Sequence, residues 1–272
     1  MDAGAILITG ASRGLGAALA KRYASPGRHL ILTARSIESL SDIAAFCRSK
    51  RADVTVLALD LVDPDNVEAF QQARRALPLT GAGLSLVIAN AGIFDGRSSA
   101  KNLETVDGQV RQINVNLTAN IALLTPIAEE MKQQGHGHLA VVSSLAARQP
   151  QPDSPAYSAS KAGLSAWAQA MGDDLIDAGL YVTDIQPGHI QTAQTDGHRG
   201  ALPGLVTADK AAEIIQRGLA RKKRRISFPL SIALLVWLGN LLPTPLRRLA
   251  LKPYRYTIAQ PIAGTEVESR ER

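Results

Sequence analysis

Short apolar runs alternate with longer stretches of helical periodicity along the first 190 residues, and this alternation limits the possible folds more than any other feature. Short runs rich in β-branched residues are typical of buried strands. When helices separate such strands, the strands pair in parallel and the helices cover both faces of the sheet. The pattern predicts strands at 5–8, 29–33, 54–58, 84–89, 139–143, 181–185 and 226–228, and helices at about 14–25, 38–50, 64–77, 103–133, 155–178 and 208–221. The predicted fold class is therefore α/β, a doubly wound parallel sheet that binds its ligands beyond the carboxyl ends of the strands.

The composition fits a single globular domain and excludes several other classes of protein. Of the 272 residues, 46% are hydrophobic and 20% are charged, which excludes disorder and a collagen-like chain. Cys47 is the single cysteine, so an intramolecular disulfide is excluded and a reducing compartment is expected. No metal site is predicted, because none of the five histidines stands in a ligand cluster. The amino terminus lacks the basic region of a signal peptide, which favours a cytoplasmic protein.

A glycine-rich turn follows the first predicted strand. Residues 9–16 have the sequence Thr-Gly-Ala-Ser-Arg-Gly-Leu-Gly and lead directly into a helix. Glycines allow a sharp turn and a close approach to phosphate groups, and the N–H groups at a helix start supply hydrogen-bond donors for an anion. The turn indicates a pyrophosphate site, although its spacing departs from the G-x-G-x-x-G pattern and a plain strand-to-helix turn has similar residues.

Further motifs follow the glycine turn along the chain, and together they resemble the short-chain dehydrogenase/reductase family. They are Asp60, Asn90-Ala91-Gly92, Ser144, the Tyr-Ser-Ala-Ser-Lys segment at 157–161, and Pro187-Gly188. The resemblance covers about residues 5–228. It implies a Rossmann-like dinucleotide-binding and catalytic domain at 1–228 that transfers hydride between a nicotinamide and a carbonyl or secondary alcohol. It also implies a homodimer or homotetramer formed through the two long central helices.

By this resemblance, the residues that follow the strands bind the cofactor. They are Gly10, Ser12, Arg13, Gly14, Leu15, Gly16, Arg35, Asp60, Leu61, Asn90, Ala91, Gly92, Tyr157, Lys161, Pro187, Gly188, Ile190 and Thr192. Arg35 ends the second strand, where NAD-binding chains carry a carboxylate for the ribose 2′-hydroxyl. A 2′-phosphate needs cations instead. Arg35 and Arg13 therefore favour NADP(H), and the alternative is that both arginines are only solvated surface residues.

Four residues are candidates for catalysis. Tyr157 and Lys161 are four positions apart on a predicted helix, so they share one face. A free phenol has a pKa of about 10, and a nearby cation favours the phenolate that a base requires. Ser144 is expected to hydrogen-bond the substrate oxygen, with Ser143 as the alternative. The resemblance assigns to Asn116, or alternatively to Asn114, a water that connects the lysine to solvent.

Other functions are excluded or left open by the motifs. The chain has neither a G-x-x-x-x-G-K-S/T phosphate loop nor a G-x-S-x-G nucleophile elbow, which excludes P-loop NTPases and α/β-hydrolases. His189 is either a substrate contact or a solvated loop residue. An NADP(H)-binding regulatory or scaffold protein, with a tail that docks on a membrane or a partner, is the alternative to an enzyme.

Positive charge is concentrated at the carboxyl end of the chain. Residues 221–272 hold 11 Lys and Arg against 3 acidic residues, whereas residues 1–220 hold 19 against 21. A basic run at 221–225 precedes 228–242, which carries no charge. We expect residues 229–272 to form an extension with an apolar helix and then a flexible basic tail. A helix of that length reaches about 22 Å, short of the roughly 30 Å of hydrocarbon in a bilayer.

Three contacts of this extension remain open: the wall of a substrate pocket, another subunit, or an anionic membrane surface through residues 221–256. The protein would then be cytoplasmic and peripheral to the inner face of a membrane. Nucleic acid is not expected, because no stacking aromatic platform accompanies the charge. The apolar residues also suit a lipid-like substrate or one from the cell envelope.

Overall fold

The structure, a computed structural model, describes residues 4–79, 82–99, 101–192, 195 and 198–258. The strands within these ranges are β1 (Ala5–Ile8), β2 (His29–Ala34), β3 (Asp53–Ala58), β4 (Leu84–Ala89), β5 (Gly137–Val142), β6 (Leu180–Pro187), β7 (Ile190–Gln191), β8 (His198–Arg199), β9 (Val206–Thr207), β10 (Arg225–Phe228) and β11 (Thr257–Ile258). Seven of them form one parallel sheet in the order β10-β6-β5-β4-β1-β2-β3. The predicted doubly wound α/β fold is confirmed.

Helices cover both faces of this sheet. They are α1 (Gly14–Tyr23), α2 (Ser41–Ser49), α3 (Pro64–Arg75), α4 (Val106–Ile113), α5 (Ala119–Gln134), α6 (Pro155–Leu175), α7 (Ala208–Ala220), α8 (Leu230–Leu241) and α9 (Thr244–Leu251). Helices α1, α2 and α7 bury their apolar residues against one face. Helices α3, α5 and α6 do so against the other face. Apolar burial on both faces explains why the central strands are continuous hydrophobic runs and do not alternate with polar residues.

The helix predicted at 103–133 is wrong in two respects. It begins later, at Val106, because the Thr105 side chain caps it by accepting a hydrogen bond from the Gly108 N–H at 3.2 Å. It is also divided into α4 and α5 by a π-helical turn at 114–118. Asn120 stabilises this turn, because its side-chain amide donates to the Val115 carbonyl at 2.9 Å. Turns of this kind often occur at functional sites.

The described part of the carboxyl-terminal extension returns to the body of the protein. Helix α8 follows β10 directly and contacts it, and β11 pairs antiparallel with β8. Within the described residues, no helix is both long and apolar enough to cross a bilayer. The predicted flexible basic tail after the apolar helix includes α9 and β11, and its residues beyond Ile258 lie outside the described residues.

Candidate active site

The carboxyl ends of β1, β4, β5 and β6 meet at one edge of the sheet, because all four strands are parallel neighbours. The glycine turn follows β1, the Asn90 segment follows β4, Ser144 follows β5, and Gly188 follows β6. Ligands of doubly wound sheets bind at this edge. The topology therefore brings together motifs that are far apart in the sequence.

The glycine turn has a backbone that larger side chains would obstruct. Gly10 and Gly14 have φ values of 63° and 57°, in the left-handed region that favours glycine. A Cβ on Gly16 would lie 2.7 Å from Asn90 Nδ2, and one on Gly14 would lie 3.0 Å from Thr192 Cγ2. The turn has room for a ligand only because glycine has no Cβ atom. It leads into the amino terminus of α1. This cradle fits the pyrophosphate of a dinucleotide.

The segment after β4 holds the glycine turn in place. Asn90 Nδ2 donates to the carbonyls of Thr9 and Gly10 at 3.0 and 3.2 Å. Thr9 Oγ1 in turn accepts hydrogen bonds from the backbone N–H groups of Asn90 and Ala91. The Asn90 amide is therefore engaged with the glycine turn. Sequence reasoning placed Asn90 in the cleft but assigned no role to Thr9, although Thr9 begins the motif.

The two arginines expected at a 2′-phosphate are both exposed. Arg13 precedes α1, and its side chain makes no capping hydrogen bond. Arg35 directly follows β2. Among the described residues neither has a recorded ion pair with an acidic side chain, so both guanidinium groups are available to an anion. Asp60 lies after β3, where its Oδ1 accepts a hydrogen bond from the Val62 N–H at 3.0 Å.

The remaining cofactor candidates are placed as follows. The side chains of Leu15 and Leu61 are buried in the core, so only their backbones face the cleft edge. Gly188 follows β6, and its N–H donates to the Phe228 carbonyl at 2.7 Å. Ile190 belongs to β7, and Thr192 lies against the glycine turn at Gly14. These candidates thus follow the carboxyl ends of parallel strands of one sheet.

Ser144, Tyr157 and Lys161 come together beside this cleft. Ser144 follows β5 and hydrogen-bonds the hydroxyl of Tyr157. Tyr157 and Lys161 both lie on α6, and Lys161 Nζ is 5.8 Å from the centre of the Tyr157 ring. Lys161 Nζ donates to the Val142 carbonyl at 2.8 Å. It also faces Gly92, on which a Cβ would lie 3.3 Å from Nζ.

The neighbouring Ser143 points away from Tyr157. Its hydroxyl donates to the carboxylate of Asp184, which is 1% exposed, and also to the Ile185 carbonyl. Asp184 further accepts hydrogen bonds from Ser165 Oγ at 2.6 Å and Gln186 Nε2 at 2.7 Å. Adjacent strand residues face opposite sides of a sheet, so the two serines have different partners.

Asn116 is buried at the π-helical turn, whereas Asn114 is exposed. The Asn116 side chain accepts from the Ile93 N–H and donates to the Ile93 carbonyl, both at 2.8 Å. Its Oδ1 lies 2.9 Å from the position that a Cβ on Gly92 would take. Asn114 instead lines a surface groove between α4 and α6. Of the two candidates, Asn116 is the one that borders the site.

Burial controls the proton affinities of the pair on α6. It raises the pKa of the Tyr157 hydroxyl above its usual value, and the hydrogen bond with Ser144 opposes that rise. It lowers the pKa of Lys161 to about 8, against the opposing attraction of the Asp184 carboxylate. The sequence argument expected the lysine to lower the pKa of the phenol. Burial instead raises the pKa of the phenol, because desolvation disfavours the phenolate.

Sequence reasoning missed a group of residues that cover Tyr157. Phe94 packs edge-on against the Tyr157 ring, with 4.8 Å between the ring centres, and Tyr256 lies 6.1 Å from Phe94. Tyr256 is 6% exposed and hydrogen-bonds Ser154 and Gln151. The carboxyl-terminal extension therefore contributes an aromatic side chain to the site. Tyr256 and Ser154 are 102 residues apart in the sequence, so no local sequence pattern predicts their contact.

A buried carboxylate fastens the same segment to the body. Asp153 accepts hydrogen bonds from Arg255 Nε at 2.8 and 2.9 Å and from the Tyr256 N–H at 3.1 Å. Arg97 also pairs with Asp153. Two segments that are distant in the sequence are thus joined through one acidic group beside the site. Within the described ranges, no cluster of three potential metal ligands is found.

Comparisons with known proteins agree with this geometry. Residues 4–201 match the short chain dehydrogenase family. An uncharacterized oxidoreductase of Myxococcus xanthus is 35% identical over 242 residues, which are 88% of this chain and 93% of the relative. A short-chain dehydrogenase from Sphingobium yanoikuyae, solved in complex with NADPH, superposes with a TM-score of 0.75 at 25% identity, covering 98% of this chain and 100% of that one.

A short chain dehydrogenase from Burkholderia cenocepacia, solved with NADP, gives a TM-score of 0.69 at 27% identity, over 83% of this chain and 95% of that one. The family match covers the glycine turn, the sheet edge and the Ser144, Tyr157 and Lys161 cluster. The chain therefore belongs to the short-chain dehydrogenase family and is an oxidoreductase.

Proposed function

We propose that this protein is an NADP(H)-dependent oxidoreductase that interconverts an apolar carbonyl compound and its secondary alcohol. The observation that carries the proposal is the Ser144, Tyr157 and Lys161 cluster beside a glycine cradle with two available arginines. The cradle and the residues after β4 and β6 would hold the dinucleotide, with Arg13 and Arg35 on the 2′-phosphate. When bound, the cofactor supplies the hydride for reduction of the carbonyl carbon.

The protein side chains supply the proton and stabilise the developing charge. Ser144 donates a hydrogen bond to the substrate oxygen and polarises the carbonyl. Tyr157 holds a proton at neutral pH, because burial raises its pKa, and it transfers this proton to the developing alkoxide. The Lys161 ammonium then stabilises the phenolate that remains. Asn116 Oδ1, beside Gly92 and Lys161, holds a water that returns a proton from solvent.

The preference for an apolar substrate rests on the residues over Tyr157. Phe94 and Tyr256 place aromatic rings there, and apolar surface in a pocket favours apolar ligands with few polar groups to orient them. An NADP(H)-binding protein without turnover is the competing function. The two are distinguished by measuring activity and cofactor binding on the same protein.

The experiment follows NADPH oxidation with ketones and aldehydes graded from small and water-soluble to long-chain, with NADH beside each. Turnover should rise with chain length and be faster with NADPH. Tyr157→Phe should abolish turnover and retain NADPH binding, whereas Tyr254→Phe, at an exposed tyrosine, should behave as wild type. Near wild-type rates for Tyr157→Phe would contradict the mechanism, and NADPH binding without turnover on any substrate would support the regulatory alternative.

Cofactor preference is tested separately at Arg35. Replacement by Gln should weaken NADPH binding by about tenfold or more, because a hydrogen bond to a charged group contributes about 1.5–3 kcal/mol. NADH binding should change little. Arg221→Gln, at an exposed arginine far from β2, is the matched control. Equal losses for both cofactors would remove the role assigned to Arg35.

We also propose self-association through α4 and α6, as the family resemblance implies. Val110 on α4 lines the groove between these helices and is 51% exposed, and Val106, one turn earlier on α4, is 73% exposed. Sedimentation velocity should show a dimer or tetramer that Val110→Glu dissociates. Val62→Glu, at a valine that is 50% exposed elsewhere, should leave the assembly intact.

A further inference from the structure

Helix α8 carries only two polar side chains, Ser231 and Asn240, yet only one side of it packs against the protein. Its 12 residues include no charged side chain. Ile232 approaches Gly204, Gly239 faces Gln149, and Asn240 Nδ2 donates to the Arg148 carbonyl at 3.0 Å. These positions recur at helical spacing and mark the side that faces the body. A helix this apolar is normally buried, whereas the opposite side of α8 has no partner within the part of the chain that the structure describes.

The outward side of α8 and the helix that follows it, α9, both carry exposed apolar side chains, which together we call the α8–α9 face. It consists of Leu230, Leu234, Leu235, Trp237, Leu238, Leu241, Leu242, Leu246 and Leu249. Leu230, Leu241 and Leu249 are 78%, 67% and 67% exposed. Exposed apolar residues that occur singly are normal, but a contiguous group of this size marks an interaction surface.

The charged residues on α9 and the turn after it are all positive. Arg247, Arg248 and Lys252 lie on α9 and the turn that follows it, and no acidic residue occurs between 214 and 265. The three cations have no recorded ion pair among the described residues. A second copy docked by this face about a two-fold axis would place like charges near one another. An anionic lipid surface would neutralise them and accept the leucines and Trp237.

The basic run at 221–225 does not belong to this face. The run ends at Arg225, the first residue of β10, whereas α8 follows that strand, and the four residues of β10 span about 10 Å. Lys222 lies over the Tyr181 ring, with Nζ 4.0 Å from the ring centre, and Arg224 pairs with Asp173. The sequence suggested a membrane contact through residues 221–256. In the structure, β10 separates the basic run from α8. The apolar residues of α8 are therefore close in the chain to the cations of α9 and are separated from the basic run.

We propose that the α8–α9 face docks this protein on an anionic lipid surface. The helices lie along the surface, with the leucines and Trp237 in the acyl boundary and Arg247, Arg248 and Lys252 at the headgroups. Because α8 begins at the carboxyl end of β10 and contacts the loop that follows Ser144, docking turns the edge of the sheet that carries the active site toward the lipid. The proposal concerns binding alone and stands whether or not the proposed reaction is correct.

The test is co-sedimentation of the full chain with phosphatidylcholine vesicles, with and without phosphatidylglycerol. Wild type should bind the anionic vesicles more strongly, with a blue shift of Trp237 emission. L234Q/W237Q/L238Q should lose most of the binding and should fold normally, since all three side chains are about half exposed and glutamine is a good helix former.

Matched charge variants separate a local contact from overall charge. R247Q/R248Q/K252Q should bind on the order of 100-fold more weakly, because each cation near an anionic surface contributes about 1 kcal/mol. R221Q/K222Q/K223Q removes the same charge at the other edge of the sheet and should stay within about threefold of wild type. Turnover of a small soluble ketone, where present, should be unchanged in both.

Three results would overturn the proposal. The first is failure of the wild-type protein to bind anionic vesicles. The second is an equal loss of binding in the two charge variants, which would show attraction by net charge only. The third is sedimentation equilibrium in which L234Q/W237Q/L238Q dissociates an oligomer while vesicle binding is absent, because a second copy would then cover the face.

Discussion

Ser143 and Ser144 are adjacent in the sequence, and the structure predicts opposite consequences for replacing each with alanine. Ser144 hydrogen-bonds Tyr157 at the site, and its Oγ accepts from the Ala146 N–H at 3.1 Å. Ser143 donates to the buried carboxylate of Asp184. We therefore expect Ser144→Ala to lower the rate and Ser143→Ala to lower the stability.

The magnitudes follow from these partners. Removal of one donor to a developing oxyanion costs about 10²–10³-fold in kcat, so Ser144→Ala should lose that much activity with at most about 1 kcal/mol of stability. A hydrogen bond to a charged group contributes about 1.5–3 kcal/mol. Ser143→Ala should lower the free energy of unfolding by that amount, while Ser165 and Gln186 still hold Asp184 and kcat falls less than about tenfold.

The assay measures kcat for NADPH-dependent ketone reduction and urea unfolding on both variants and on wild type. Each variant serves as the control for the other, because the substitution is identical and the positions are adjacent. A loss of about 100-fold in kcat for Ser143→Ala at unchanged stability, or a wild-type rate for Ser144→Ala, would contradict the roles assigned to the two serines.

Three further predictions concern protonation and the carboxyl-terminal segment. The kcat for reduction should fall as the pH rises above about 8, where Lys161 loses its proton. Asp184→Asn should move this fall to lower pH, because the carboxylate raises the pKa of the lysine. An unshifted pH–rate profile for this variant would contradict the coupling. Burial lowers the pKa of His138 from 6.5 to about 4, so only the unfolded chain takes up this proton between those values. Urea titrations should show stability falling by up to about 1.4 kcal/mol per pH unit as the pH drops through that window, a fall that His138→Asn removes and His136→Asn retains. Tyr256→Phe should lower the free energy of unfolding by about 1–3 kcal/mol, because it leaves the fully buried Ser154 hydroxyl without this partner. The same variant should raise KM for the ketone more than it lowers kcat. Unchanged stability and an unchanged KM would refute the role of the carboxyl-terminal segment.

Features that depend on local sequence could be predicted. The strand ends, the glycine turn and the spacing of Tyr157 and Lys161 follow from side-chain periodicity and from the backbone freedom of glycine. These properties act within a few residues of the chain. The predicted strands agree with the observed ones to within one or two residues. The order of motifs along the chain also placed each of them after the correct strand.

The π-helical turn at 114–118 could not be predicted from periodicity. The surrounding sequence has a continuous helical pattern, and only the Asn120 side chain that takes the Val115 carbonyl marks the turn. The choice between Asn114 and Asn116 depends on this turn. One asparagine is exposed and the other is buried on Ile93 because of it.

The carboxyl-terminal extension shows the same distinction at a larger scale. Its charge and hydropathy were evident from the sequence alone, and they determined that the segment is basic, apolar and too short to span a bilayer. Only the tertiary structure decided that Tyr256 packs beside Phe94 and that Asp153 fastens Arg255. Each of these depends on contacts between residues far apart in the chain, which arise from packing against the sheet and leave no periodic signal in the sequence.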